Sequence, residues 1–110
     1  MQKYLCIQRG QPGQDEKPSP AQMQEMYAKF NDWRVKFQEN IVDMGGRLGG
    51  GQVVTTEGAM DGPFVEAKEV IGGYMIVSAE SLEKAVEIAR GCPGLVGPGS
   101  GVEVREINTP

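Results

Sequence analysis

A turn followed by a short apolar run, within residues 61–77, constrains the fold of this chain more than any other stretch. Asp61–Pro63 force a bend, an extended charged segment follows, and the pair Gly72–Gly73 precedes four consecutive apolar residues, Tyr74–Val77. Four residues are too few for a helix, and an apolar run bounded by glycines is typical of a buried strand. The sequence therefore predicts a central strand here.

The size and charge of the chain limit its partners. Its 110 residues, 39% of them hydrophobic, predict a single domain over residues 1–110 with one core. The net charge is −4, and no predicted face collects the lysines and arginines, so we do not expect nucleic acid as a partner. No apolar run approaches the about 20 residues that span a bilayer or the about 7–15 of a signal peptide. We therefore expect a cytoplasmic protein that does not bind membranes.

Cysteine and histidine usage limits the chemistry. Cys6 and Cys92 lack the spacing of metal ligands, and in a reducing compartment we expect both to be small buried hydrophobic residues rather than a disulfide. The chain has no histidine, the commonest general base and a frequent zinc ligand. We expect neither a metal site nor a cofactor.

The first half of the chain predicts one strand and one long helix. Residues Lys3–Arg9 are compatible with a strand, and Ser19, followed by a proline and by Gln22, has the pattern of a capped helix start. An apolar stripe at steps of three and four then predicts an amphipathic helix that ends at Gly45–Gly46. The stripe consists of Met23, Met26, Tyr27, Phe30, Trp33, Phe37, Ile41 and Met44. Such a stripe is typical of a helix that packs on a sheet, and only Trp33 is considered for a pocket as well.

A glycine-rich segment that begins at Arg47 resembles a phosphate loop in composition only. Phosphate loops lie between a strand and a helix, whereas this segment follows a predicted helix and precedes the strand-like Gln52–Thr56. We therefore do not expect a nucleotide site. Residues 57–62 are predicted to connect back to the central stretch.

The second half predicts another helix and a final strand. Ser78 or Ser81 caps the helix, which ends at Gly91, and Val102–Ile107 alternate as a half-buried strand. The element order is strand, helix, strand, strand, helix, strand, which predicts an α+β fold of the ferredoxin-like split βαβ type. Its antiparallel sheet would carry both helices on one face.

The predicted middle strands are apolar on both faces. Leu5 and Ile7 lie on one side of the first strand, and Tyr74 and Ile76 on one side of the central strand. Two helices cover only one face of the sheet, so we expect a homodimer in which a second sheet packs about 10 Å away and buries about 1,600 Å².

The central stretch resembles a known family signature. Asp61–Phe64, followed by Glu66, Lys68–Glu69 and Gly72–Tyr74, resembles the DGPF signature of the YCII-related family, and Val102–Ile107 is similar to that family's final strand. The resemblance covers nearly the whole chain and implies a dimeric α+β barrel. It also implies an enzyme with a His-Asp pair in some members and a link to sigma-factor systems in others. The lack of histidine means that such a pair is not carried over.

Two classes of function are compatible with these features. We favour a domain that binds a small polar metabolite between the sheet and the long helix, and the sequence does not decide whether it is an enzyme. The alternative is a protein-interaction or regulatory module, including one linked to transcription. A ligand site needs converging polar groups. The candidate ligand-binding residues are Arg47, Asp61, Glu66, Lys68, Glu69, Tyr74 and Trp33.

Two local hypotheses concern the charged residues of the central stretch. Glu66 and Lys68 point to the same side of an extended segment and form either a solvated surface pair or a pair that faces a pocket. Pro63 has no N–H, so neither a tight hairpin turn nor an Asx turn can close at Asp61. We hypothesise that Asp61 lies in a wider loop and binds Arg47 or a ligand. The alternative is a solvated loop aspartate.

Overall fold

The computed structural model describes residues 1–10, 19–62, 70–93 and 100–108. Within them the chain forms six strands and two helices. In chain order these are β1 (Gln2–Gly10), α1 (Pro20–Lys36), β2 (Ile41–Arg47), β3 (Gly51–Thr55), β4 (Gly58–Gly62), β5 (Val70–Ala79), α2 (Leu82–Gly91) and β6 (Ser100–Glu106).

Four of these strands form one antiparallel sheet. Their order is β2-β5-β1-β6, which is the order of the ferredoxin-like split βαβ arrangement. Side chains from both helices share one buried cluster with alternate residues of β1 and β5, so both helices cover the same face. The prediction of an α+β fold with an antiparallel sheet and two helices is confirmed.

The strand predicted at Gln52–Thr56 lies outside this sheet. Among the described strands, β3 pairs with β4 alone in a separate two-stranded sheet. Residues 57–62, predicted as a connection, contain the whole of that partner strand. Gly58 has a φ of 134°, which favours glycine, and it lets the chain reverse next to Thr55. The Thr55 hydroxyl accepts a hydrogen bond from the Glu57 N–H at 3.2 Å and supports this turn.

The prediction of one helix that continues to Met44 is wrong. α1 ends at Lys36, and Ile41–Arg47 form the strand β2. Asn40 bonds to β5 with both its backbone and its side chain. Its carbonyl accepts from the Ser78 N–H at 2.7 Å, and its side-chain amide donates to the Ser78 carbonyl at 2.8 Å. The apolar spacing continued past the helix end because Ile41 packs on the same core from a strand.

Both helix starts follow the expected capping chemistry. The Ser19 hydroxyl accepts from the Gln22 N–H at 3.2 Å, and the Gln22 side chain accepts from the Ser19 N–H at 2.9 Å, so the predicted capping box is confirmed. Of the two serines considered for α2, Ser81 is the cap, because its hydroxyl accepts from the Lys84 N–H at 3.1 Å. The predicted end at Gly91 is also confirmed.

The core lies between the two helices and one face of the sheet. Its fully buried side chains include Ile88, Val77 and Cys6. Cys92 is also buried, and both cysteines are free thiols, as predicted. None of the helices in the described parts of the chain is both long and apolar enough to span a membrane.

Only the C-terminal part of the α1 stripe packs in this core. Trp33 and Phe37 are 5% and 7% exposed, and Phe30 is half-buried. Met23, Met26 and Tyr27, one to two turns earlier, are 41%, 43% and 65% exposed. The stripe therefore continues beyond the chain's own core.

Candidate functional site

Three of the seven sequence-predicted site residues, Glu66, Lys68 and Glu69, lie outside the described residues. The ion pair expected between Glu66 and Lys68 lies there too. Asp61 is described by its backbone, which forms part of β4 and pairs with Gln52. The wider loop expected at Asp61 is therefore wrong, because the hairpin β3–β4 extends to Gly62.

Trp33 belongs to the core rather than to an open pocket. Its indole N–H donates to the backbone carbonyl of Ile88 at 2.8 Å. Its ring lies between Phe30 and Phe37, with ring centroids 5.7 Å and 6.2 Å away. The polar edge of the indole is thus already satisfied by α2.

Arg47 and Tyr74 lie on different sides of the sheet. Arg47 ends β2 opposite Gly73, which shares its face of the sheet with Met75 in the core. Tyr74 is paired with Ile7, and its side chain alternates to the face that the helices do not cover. Trp33, Arg47 and Tyr74 are therefore not brought together in one site.

The structure instead brings four residues together on the helix-covered face of the sheet, namely Gln8, Arg47, Gly72 and Gly73. We refer to these four residues as the glycine notch. Gln8 is paired with Gly73, and its side-chain oxygen would lie 3.5 Å from a Cβ atom built on either glycine. The Gln8 side chain therefore lies next to the glycine pair, where no other side chain projects from β5.

Close approach of β2 requires the glycines at this end of the sheet. A Cβ on Gly73 would lie 2.9 Å from the Gly46 carbonyl oxygen. Gly45 has a φ of 64°, and a Cβ there would overlap the carbonyl oxygen of Tyr74. The Asp43 carboxylate accepts from the Gly45 N–H at 2.8 Å and holds this irregular part of β2, where the pairing register shifts. Such bulges often lie next to functional sites.

The polar groups of the glycine notch are suited to binding. Arg47 is exposed, and among the described carboxylates none lies within ion-pair distance of it. Arg9, by contrast, contacts Glu103 at 3.3 Å on the uncovered face. A guanidinium and an amide can bind a carboxylate or a phosphate, but neither is a general base at neutral pH. Nowhere in the described ranges do three potential metal-ligating side chains come together.

Gln8 was not among the residues predicted from the sequence. It alternates with Cys6 on the first strand, and an antiparallel pairing of that strand with β5 brings it opposite the glycine pair. The alternation was visible in the sequence, but the pairing register was not, because Gly72 is an extra residue on β5 at this position.

Comparisons with known proteins give two positive results. The model of the YCII-related domain family matches residues 2–108. No curated protein matches the chain. Among solved structures, the chain is similar to 5-chloro-2-hydroxyhydroquinone dehydrochlorinase (TftG) from Burkholderia phenoliruptrix AC1100, in complex with 2,5-dihydroxybenzoquinone. That similarity has 18% sequence identity and a TM-score of 0.48, and it covers 96% of this chain and 93% of that chain.

Proposed function

We propose a function for this chain as a member of the YCII-related domain family. The chain belongs to that family, as the match of the family model over residues 2–108 shows and as the DGPF signature in the sequence predicted. The proposed function is the binding of a small polar metabolite between the sheet and α1, with the glycine notch as the seat of its polar end. A carboxylate or phosphate of the ligand would contact Arg47, and the rest would lie along Gly72, which is partly exposed, whereas Gly73 is buried.

One observation carries this proposal. Arg47 provides guanidinium donors, and the Gln8 side chain lies with its amide oxygen next to two consecutive residues without side chains. Ligand sites are concave surfaces with a few converging polar groups, and missing side chains let a ligand approach the backbone. Binding is proposed rather than catalysis because neither Gln8 nor Arg47 can act as a base or nucleophile at neutral pH.

The proposal extends to a homodimer. On the uncovered face of the sheet, Leu5 is paired with Ile76 and Ile7 with Tyr74, so four large side chains form one contiguous apolar block. Packing this block against the same block of a second copy would remove it from water, and a two-fold interface of this kind uses one surface twice. The α+β barrel implied by the family resemblance would arise in this way.

A second candidate function rests on a different surface. Met23, Met26 and Tyr27 are exposed on the N-terminal half of α1, at the spacing of a docking face. They support a protein-interaction or regulatory role, including a transcriptional one. The partner would be a protein with an apolar surface rather than a polar metabolite.

Ligand-dependent melting separates the two functions. We would measure thermal unfolding against a panel of small carboxylates and phosphates, using wild type, Arg47→Gln and Gly72→Ala. A Cβ at Gly72 meets only the Gln8 side chain, at ordinary contact distance, so Gly72→Ala fills the notch without a steric conflict. We expect stabilisation by at least one compound in the wild type and its loss in both variants.

A matched variant distinguishes loss of binding from general damage. Arg34→Gln removes an exposed arginine that bonds Asn31 on α1, away from the glycine notch, and we expect it to retain the ligand response. The metabolite proposal is wrong if no compound raises the melting temperature, or if Arg34→Gln and Arg47→Gln lose the response equally. Capture of a protein from lysate that Met26→Ser removes and Arg47→Gln retains would favour the interaction role.

A further inference from the structure

We propose that a groove between the C-terminal end of α1 and one side of α2 is a second ligand site, which binds a small aromatic or alicyclic carboxylate. We call it the helix groove. It is an open groove with a volume of about 570 Å³, lined by Lys36, Phe37, Leu82, Glu83, Val86, Glu87, Arg90 and Gly91. This volume lies within the range of about 300–1,000 Å³ that is typical of small-molecule sites.

The floor of the helix groove is apolar. Leu82 and Val86 are one turn apart on the same side of α2, and Phe37 closes the groove from the end of α1. Leu82 is 46% exposed although it belongs to a helix whose other apolar residues are mostly buried. A ligand with a ring or a fused ring pair would cover this floor. A sugar phosphate would bring hydroxyl groups against it, where they lack hydrogen-bond partners.

Gly91 leaves space beside two aromatic edges. A Cβ atom at this position would lie 3.4 Å from Cδ1 of Trp33 and 3.9 Å from Cε2 of Phe37. Its φ is not positive, so the backbone does not require glycine here. Trp33 is buried behind Gly91 and does not line the helix groove. The missing side chain therefore lets a ligand ring approach the edge of the Phe37 ring, in the edge-to-face geometry that aromatic groups prefer.

The charges around the helix groove favour an anion. Lys36 and Arg90 lie at its rim, and the Lys84 ammonium group pairs with Glu87 at 3.2 Å, which leaves Glu83 as the remaining carboxylate of the lining. The ammonium groups of Lys36 and Lys84 are 5.3 Å and 5.5 Å from the centre of the Phe37 ring. The lining holds two cations and two carboxylates, and Lys84, which lies beside the Phe37 ring and pairs with Glu87, adds a third cation next to it in a chain whose net charge is −4. A carboxylate on an apolar ring complements both the rim and the floor.

The test uses the one tryptophan of the chain as a local probe. We would titrate uniformly ¹⁵N-labelled protein with 2-naphthoate and with its neutral analogue 2-naphthylmethanol, and follow amide and indole N–H signals by NMR. We expect 2-naphthoate to shift the Trp33 indole signal and the Gly91 amide signal in a saturable way. The alcohol should bind about twofold to fivefold more weakly than 2-naphthoate, because it cannot form the ion pair.

Variants locate the site and separate its charge from its shape. Arg90→Gln and Lys36→Gln should each weaken 2-naphthoate binding about twofold to fivefold. Gly91→Leu should abolish binding of 2-naphthoate. Gly91→Ala, whose single added atom makes ordinary contacts, should weaken binding, and it replaces Gly91→Leu as the test if leucine disturbs folding. Lys29→Gln removes a cation that contacts Glu25 on α1 outside the groove, so it should bind as the wild type does.

Several results would overturn the inference. One is the absence of saturable shifts at Trp33 and Gly91 at millimolar probe. Equal affinity for the carboxylate and the alcohol would refute the anion preference. Shifts that depend on protein concentration alone would show that a second copy covers the helix groove. We expect this site to be independent of the glycine notch. Gly91→Leu should therefore leave unchanged any ligand response that depends on Arg47.

Discussion

The indole N–H of Trp33 donates to the carbonyl oxygen of Ile88 at 2.8 Å and joins the end of one helix to the end of the other. Ile88 lies in the last turn of α2, where carbonyl groups lack the N–H partner of a continuing helix. The Cys92 N–H, four residues on, donates to Ala89 instead, at 3.2 Å. The indole of α1 therefore satisfies a carbonyl that the sequence of α2 leaves open.

We predict that Trp33→Phe destabilises the fold by about 1–3 kcal/mol, because it leaves the buried Ile88 carbonyl without this donor. The measurement is urea unfolding followed by circular dichroism. Tyr27→Phe is the control, since Tyr27 is an aromatic residue of the same helix but 65% exposed. Its effect should stay within about 0.5 kcal/mol. Equal stability of Trp33→Phe and wild type would show that the hydrogen bond contributes nothing measurable.

We predict that Gly45→Ala lowers the free energy of unfolding by about 2–4 kcal/mol. The substitution places a side chain in the left-handed region, at φ 64°, and against the Tyr74 carbonyl. Gly46→Ala is the matched control, because a Cβ there has no neighbour within 4 Å. The account of the β2 bulge is wrong if both variants unfold at the same urea concentration.

Stability should fall at high pH because of the two buried thiols. Burial raises the pKa of Cys6 from 9.0 to about 11, and burial with a smaller effect of Cys6 raises the pKa of Cys92 to about 11. The unfolded chain loses these protons near pH 9 and the folded chain only near pH 11. The stabilisation is thus complete below pH 9 and is lost as pH rises from 9 to 11.

The check is the difference between wild type and Cys6→Ala/Cys92→Ala in urea unfolding with reductant across that range. All other groups are the same in both proteins, so only the thiols contribute to the difference. The wild type should lose stability more steeply between pH 9 and 11 than the variant. Parallel curves would mean that the thiols ionise in the folded protein as readily as in the unfolded one.

We predict that Ile76→Glu converts the proposed homodimer into a monomer. Ile76 is paired with Leu5 in the apolar block, and a carboxylate buried there against its symmetry mate would lack a partner. Sedimentation velocity at micromolar concentration gives the mass directly. Val54→Glu, at a position 77% exposed in the hairpin, should remain dimeric. A wild-type chain that sediments as a monomer would refute the dimer itself.

Local chemistry made much of the fold predictable. The capping box at Ser19 depends on residues three positions apart, and the central strand at 74–77 depends on an uninterrupted apolar run. Neither prediction needs knowledge of contacts between distant parts of the chain. The end of α1 could not be predicted in this way. It depends on hydrogen bonds between Asn40 and Ser78, which are 38 positions apart.

The candidate site was less predictable than the fold. Arg47 was predicted as a polar group that could bind Asp61 or a ligand, whereas Gln8 was missed because its position opposite Gly73 depends on pairing register. Trp33 was considered for a pocket because of its size, and only the structure shows its indole bonded to Ile88. Side-chain type identifies candidates, whereas convergence depends on a register that one extra residue such as Gly72 changes.

The place of β1 in the sheet has a consequence for synthesis of the chain on the ribosome. β1 lies between β5 and β6, so both of its neighbours are translated long after it, and the Gln2 side chain finally bonds the Ile107 carbonyl at 2.7 Å. Pairings between such distant segments form slowly, because a large loop must close first. The strand at the centre of the finished sheet therefore emerges early with an unpaired backbone, and a nascent chain paused before β6 would expose one edge of it to other strands.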